Sequence, residues 1–275
     1  MRKLTLGLGL GALAALTMAT SAQAVSTEAT WHASATGSAG GGSKSAPAAF
    51  SGSWTLGAVN NINPSYRAAV PSQWSWSWEG VRVHQQGVPT CSVDQVNDAK
   101  SVAGCPPGSH IGTSNPATFH ANFGPIGMAE GPNTECYNKT FDLYNGPAGS
   151  FTMVVDGPPA DCATLGFLGA YPVNLATSGG RTTMTWDVPL NLQQPFPGAE
   201  GGLPNAQHVY NAVKVPSKKG KKGKKGKKAT KHFLLESVNC KGPRDFQYTV
   251  VDPYGTHTIN STAGNCKAPK KKKKK

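Results

Sequence analysis

Four sets of residues in this chain have types and spacings that could do chemistry: six cysteines, seven histidines, a stretch of alternating tryptophans and a run of paired lysines. The cysteines are Cys91, Cys105, Cys136, Cys162, Cys240 and Cys266. They form no CxxC, no CxxCH and no Cys/His run of zinc-finger spacing, so dithiol redox and structural zinc chemistry have no motif here. An even count in an exported chain points instead to three disulfides, although the spacing leaves the connectivity open. Sequential pairing has a physical reason. Cys136 and Cys162 flank FDLYNGPAGSFTMVV, and Cys240 and Cys266 flank FQYTVVDPYGTHTIN, each a strand–turn–strand pattern. Each pair would sit at the feet of a hairpin, where two chain ends already meet. Cys91 and Cys105 enclose a third loop. A bridge of this kind contributes roughly 3 kcal/mol by constraining the unfolded chain. Cys105 lies near His110 in sequence, but a paired structural cysteine explains it better than a nucleophile.

The histidines (His32, His84, His110, His120, His208, His232 and His257) are scattered, and no two share a metal-ligand spacing. The chain has no GxSxG elbow, HExxH helix, phosphate-binding loop, dinucleotide fingerprint or EF-hand loop. Asp156 and Asp161 bracket GPPA, which suits a turn rather than a carboxylate pair. No catalytic set and no cofactor follow from the sequence, and the expectation is a non-enzymatic protein. The alternative is an enzyme whose site is assembled from distant strands.

Trp74, Trp76 and Trp78 alternate with serine in QWSWSWEGVRV. Side chains two apart on a strand are ~6.7 Å apart, so three indoles would form an apolar stripe of ~13 Å. Exposed, the stripe would stack on sugar rings as a glycan-binding platform. Buried, it is the inward face of a sheet, the commoner fate of large aromatics.

The lysines Lys218, Lys219, Lys221, Lys222, Lys224, Lys225, Lys227 and Lys228 come in pairs separated by glycine. Glycine at every third position penalises helix by about 1 kcal/mol each. Repulsion between neighbours favours an extended, solvated segment. Of the 27 Lys and Arg, eight lie here, six in the tail Lys270–Lys275 and two at the N-terminus, which leaves 11 against 14 acidic residues. The net charge of +13 therefore sits on appendages, and the body is slightly acidic. Such a run binds polyanions without sequence preference and loosens as salt rises. No aromatic residue is interleaved for base stacking, so nucleic acid would be bound only non-specifically. The candidate partners are an anionic cell-wall polymer or an acidic lipid surface. A purely solubilising loop is the plainer reading.

The elements that would position these groups are mostly strands. Residues 1–24 read as a secretory signal peptide: Arg2 and Lys3, an apolar core, and Ala22-Gln23-Ala24 for cleavage. No later stretch has the ~20 apolar residues a membrane helix needs, so the chain is expected to be secreted, without a transmembrane span, with association with the cell envelope as the narrower expectation. Residues 25–49, rich in Ser, Ala and Gly, read as a flexible linker. Residues 50–266 read as one antiparallel β-sandwich domain, with a Lys/Gly-rich loop inserted at 217–231 and a poly-Lys tail at 267–275. Two smaller sandwiches divided near 158–167 are the alternative. TSGG and Asp252-Pro253-Tyr254-Gly255 mark hairpin turns. The one helix expected covers about 92–103, with Ser92 as N-cap and Gln95 at the capping-box position.

CSVDQVNDAKSVAGCPPGSHIGT, with Cys105, Pro106, Ser109, Ile111, Gly112 and Thr113 in a CPxxSxIGT pattern, resembles a motif in exported proteins of high-GC Gram-positive bacteria. LYNG and FLLESVNC also resemble that group, over roughly residues 74–266. The resemblance implies export and a β-rich fold. It assigns no catalytic residue, since the group is largely uncharacterised. The lysine insertion and tail depart from it.

Overall fold

A computed structural model describes residues 29–39, 47–61, 70–114, 117–123, 134–156, 169–194, 199–202, 205–210, 212–215, 232–238 and 242–265 of the chain. The strands are β1 (Ala29–Ala39), β2 (Ala48–Asn60), β3 (Gln73–Glu79), β4 (Val81–Val83), β5 (His110–Ser114), β6 (Ala117–Phe123), β7 (Thr134–Asn145), β8 (Ser150–Asp156), β9 (Gly169–Ser178), β10 (Arg181–Asp187), β11 (Ala199–Gly202), β12 (Asn205–Tyr210), β13 (Leu235–Ser237), β14 (Pro243–Asp252) and β15 (Gly255–Asn265). Two short helices, α1 (Val93–Ala99) and α2 (Leu190–Gln193), are the other elements among the described residues.

The chain is all-β and antiparallel, as the repeated hairpin patterns require. The hydrogen-bonded path runs β15-β14-β3-β10-β9-β8-β7-β5-β12-β2-β13-β4. β4 follows β3 after Gly80 alone, at φ 65°, so the path from β3 round to β4 returns to its own start. β1 pairs β2 and packs alongside β15. The sheet is thus continuous and nearly closed, in the manner of a barrel, around one core. β8 pairs β9, so the residues on either side of 158–167 share that sheet.

Period-two patterning fills the interior. Trp74, Trp76 and Trp78 are 1%, 0% and 0% exposed. Trp74 meets its register partner Trp186 edge-on at 5.2 Å, Trp76 stacks near Tyr248 at 6.4 Å, and Trp78 packs on Phe246 at 4.9 Å. Trp54 of β2 closes over Trp76 at 5.5 Å. The hydroxyl of Tyr210 accepts from Trp54 Nε1 at 3.2 Å and from Trp76 Nε1, so two indole donors share one acceptor inside the core. Each such ring removes roughly 150–250 Å² from water, several kcal/mol at about 25 cal/mol/Å².

Three differences from the sequence reading have physical causes. Residues 25–49 are not a linker throughout: β1 runs from Ala29 to Ala39 in full register with β2. Its Ala29, Trp31 and Ala35 are buried while Thr30, His32 and Ser34 face out, a period of two that, Trp31 and His32 apart, is written in Ala, Ser and Thr and so is masked by a linker-like composition. Trp31 Nε1 donates to Asp252 Oδ2 at 2.9 Å, which ties β1 to the β14–β15 turn. The expected helix ends early, at Ala99, because Lys100 takes the left-handed conformation at φ 47°. Its N-cap is as expected: Ser92 Oγ accepts from the Gln95 N–H at 3.1 Å. The stretch QQPFPGAEGGLPNAQ, residues 193–207, whose Pro and Gly content suggests a loop, contributes β11, paired with β6, and the start of β12. The TSGG and Asp252–Gly255 hairpins form as expected, with Gly179 and Gly180 both at positive φ (59° and 79°), which a two-residue turn demands. Residues 1–24, read from the sequence as a secretory signal, lie outside the described residues.

Candidate functional site

Burial overturns the glycan-platform role of Trp74, Trp76 and Trp78, since fully enclosed indoles have no face for a sugar ring. Cys91 and Cys105 form a disulfide, with Cα atoms 5.1 Å apart, so Cys105 offers His110 no free thiol. The side chains of Cys136, Cys162, Cys240 and Cys266 lie outside the described residues, as do the eight lysines of the run and the tail.

What the chain does around the lysine run is visible at its two feet. Val215 N–H donates to His232 O at 3.0 Å and Leu234 N–H to Val213 O at 2.9 Å, with Lys214 and Phe233 facing each other across an antiparallel bridge. The residues that flank 216–231 are thus hydrogen-bonded to each other, while 216–231 themselves, read from the sequence as an inserted loop, lie outside the described residues.

At that point the fold gathers four residues that sequence spacing did not unite: Arg82, His84, His232 and Glu236. The β13–β4 ladder places Glu236 opposite Arg82, and the His84 N–H donates to Leu234 O at 2.8 Å, extending the ladder by one residue. Glu236 is fully buried, on a strand flanked by β4 and β2. Its Oε2 accepts from Arg82 Nε at 2.8 Å and Nη2 at 2.5 Å. Its Oε1 accepts from Phe233 N–H at 3.1 Å and lies 2.8 Å from His232 Nδ1. Burial opposes ionisation of this carboxyl, but the bonds from Arg82, His232 and the Phe233 amide outweigh it and hold it below the usual carboxylate range. The His84 and His232 rings stack 4.6 Å apart and nearly parallel, at 10°. Among the described residues His84, His232 and Glu236 form a group of potential metal ligands, with one donor atom from each lying within 4.8 Å of the others. HFLLE does carry His and Glu four apart, but His84 lies about 150 positions earlier in the sequence. Only the β4–β13 pairing adds it.

A second polar cluster lies in the segment that carries the CPxxSxIGT pattern. Asn145, fully buried, donates from Nδ2 to Val88 O at 3.2 Å and Pro89 O at 3.0 Å, and its Oδ1 accepts from Gln85 Nε2 at 3.0 Å. Its backbone binds Ser109 O and Cys91 N–H. Thr152 Oγ1 donates to Cys91 O at 2.7 Å, and the Asn97 amide brackets Ala170 from α1. The conspicuous residues of LYNG and of the Cys-helix-Cys segment thus pin the disulfide loop onto β7, β8 and β9. Ile111 is core, and Gly112 leaves room for the His208 ring, which would lie 2.8 Å from an added Cβ.

His208 is buried, with Nε2 2.8 Å from Phe141 O. A carbonyl only accepts, so Nε2 carries the proton. Desolvation drives the pKa of this imidazole down to about 4, against the smaller opposing pull of the carbonyl bond. On the outer face of the same strands His110 and Asp142 lie 3.7 Å apart. Asp142 also accepts from Thr140 Oγ1 at 3.5 Å, and among the described residues no third metal-type ligand joins the pair.

No protein-family model, no curated protein and no solved structure matches this chain.

Proposed function

We propose that this protein is a non-enzymatic, exported β scaffold that holds an anionic polymer of the cell envelope through its lysine-rich insertion. The observation that carries the reading is the clamp at Lys214–Phe233, which presents residues 216–231 from one fixed base on a slightly acidic body. Polycation and body then have separate tasks. The body supplies a stable, disulfide-linked anchor, and the lysines supply electrostatic contact that needs no shaped pocket. The leader and the resemblance to exported proteins of high-GC Gram-positive bacteria support the same compartment.

The test is deletion of Lys218–Lys228 in the expressing cell. The intact chain should stay with the envelope fraction at low salt and be released as salt rises. On immobilised polyphosphate its log affinity should fall with log salt by roughly 0.7–0.9 per phosphate neutralised. The deleted chain should appear in the medium with a shallower slope. Unchanged envelope retention at low salt would remove the proposal, and a parallel deletion of Lys270–Lys275 separates the tail from the insertion.

A further inference from the structure

The foot of the lysine insertion holds a group suited to more than anchoring. We infer that His84, His232 and Glu236 form a binding site for a single first-row transition-metal ion, zinc above all. Two imidazoles and one carboxylate are a donor set that zinc accepts, and it is too rich in nitrogen to favour calcium or magnesium.

The geometry is near what an ion requires. Zinc sits about 2.0–2.2 Å from nitrogen and oxygen donors, so tetrahedral ligands lie about 3.3–3.6 Å from one another. The donor atoms here already lie within 4.8 Å, and His232 Nδ1 is 2.8 Å from Glu236 Oε1. Parallel rings aim their lone pairs side by side rather than at one point. Binding therefore turns the imidazoles about their Cβ–Cγ bonds and opens the stack, a movement open to side chains that are only half-buried.

The surroundings favour ligation over a plain ion pair. Arg82 places both of its hydrogen bonds on Oε2, which leaves Oε1, bonded to the single Phe233 amide, turned toward the His232 imidazole. An outer partner of this kind fixes a metal-binding carboxylate and keeps it ionised. Glu236 and His84 are fixed by the β4–β13 ladder, and His232 by its hydrogen bond with Val215. The other histidine–carboxylate pairs lack these features. His110 and Asp142 have no third ligand beside them among the described residues, and Asp252 Oδ1, 3.0 Å from His257, already accepts two turn amides. Three protein ligands leave one position for water, and an ion there would lock β4, β13 and the base of residues 216–231 together.

The inference stands apart from polymer binding, and its test uses zinc alone. The untagged full chain, stripped of metal, is titrated calorimetrically with Zn²⁺, and with Co²⁺ as a visible-absorption probe. One ion per chain is expected, with the absorption of a low-coordinate cobalt site. His84→Ala should weaken zinc at least about tenfold, as loss of a metal-site residue does, and the His84→Ala/His232→Ala pair should abolish the cobalt spectrum. Both keep the fold by circular dichroism, because these rings are half-exposed. Glu236→Gln is a third variant. Should it unfold through loss of the Arg82 pair, the histidine variants still decide. Absence of a stoichiometric ion, or zinc bound equally by chain and double variant, overturns the site.

Discussion

The Asn145 knot and the Glu236 cluster are both built on a buried polar side chain, and they differ in what surrounds it. Asn145 is neutral, and both atoms of its amide are bonded to fixed neutral groups. A buried amide with its hydrogen bonds made costs little and specifies one arrangement of the loop around it. Glu236 is charged and holds an arginine on one oxygen, but its other oxygen, besides the Phe233 amide, meets the half-exposed His232 imidazole, with His84 stacked beside it. The first arrangement has nothing left to offer a ligand. The second does, and it sits where the lysine insertion joins the fold. Chemistry at this molecule's surface is therefore to be sought at the insertion's base and not in the segment whose sequence pattern draws the eye.

The contrast depends on a common core, and the largest effect should come from breaking that. Trp76→Ala removes a fully buried indole and its bond to Tyr210, and should cost about 3–5 kcal/mol in chemical denaturation, loosening both clusters alike. A loss confined to one cluster would mean the sheet is two independent units.

Acid should separate the groups that titrate from those that do not. Folded His208 takes up its proton only near pH 4, whereas an unfolded histidine does so near its ordinary 6.5. Between those values the unfolded chain binds more protons, so stability falls as pH falls across that window, by about 3 kcal/mol. Glu236, Asp142 and Asp252 are held below their ordinary values, burial notwithstanding, by bonds to Arg82, His110 and Trp31 among others. Their contribution is present above the ordinary carboxylate range and is lost as pH drops through their depressed values. Denaturation midpoints across pH 3–7 should show both limbs, and His208→Gln should flatten the upper one.

Asn145→Ala addresses the knot alone. It strands the carbonyls of Val88 and Pro89 and should cost about 2 kcal/mol. Hydrogen exchange should quicken across 85–110, with zinc affinity unchanged. Deleting Lys218–Lys228 should be smallest for stability, under about 0.5 kcal/mol by thermal unfolding, while salt-dependent retention is lost. A large stability change there would place the insertion in the fold's energetics and blur the division between body and appendage.

Much of the architecture was legible in the chain. QWSWSWE names an inward face because a strand's side chains alternate, and TSGG and DPYG name turns because their residues allow the needed backbone angles. Ser92 and Gln95 named the start of α1. Other features were illegible for definite reasons. β1 is written in alanine, serine and threonine, whose composition looks like a linker until a partner strand pairs every residue. Lys100 ends α1 without a glycine to announce it. The Glu236 cluster draws on residues about 150 positions apart, and no local pattern encodes which strand lies beside which.

Sequence alone settled the alternation of faces, the sites of the hairpin turns and the concentration of the excess positive charge in two segments, because each depends on neighbours along the chain. Tertiary structure alone decided that the tryptophans are enclosed, that the sheet returns on itself through Gly80, and that His84 stands beside His232 and Glu236. Those outcomes depend on which strands pair, and pairing is fixed by the burial of a whole core rather than by any stretch within it.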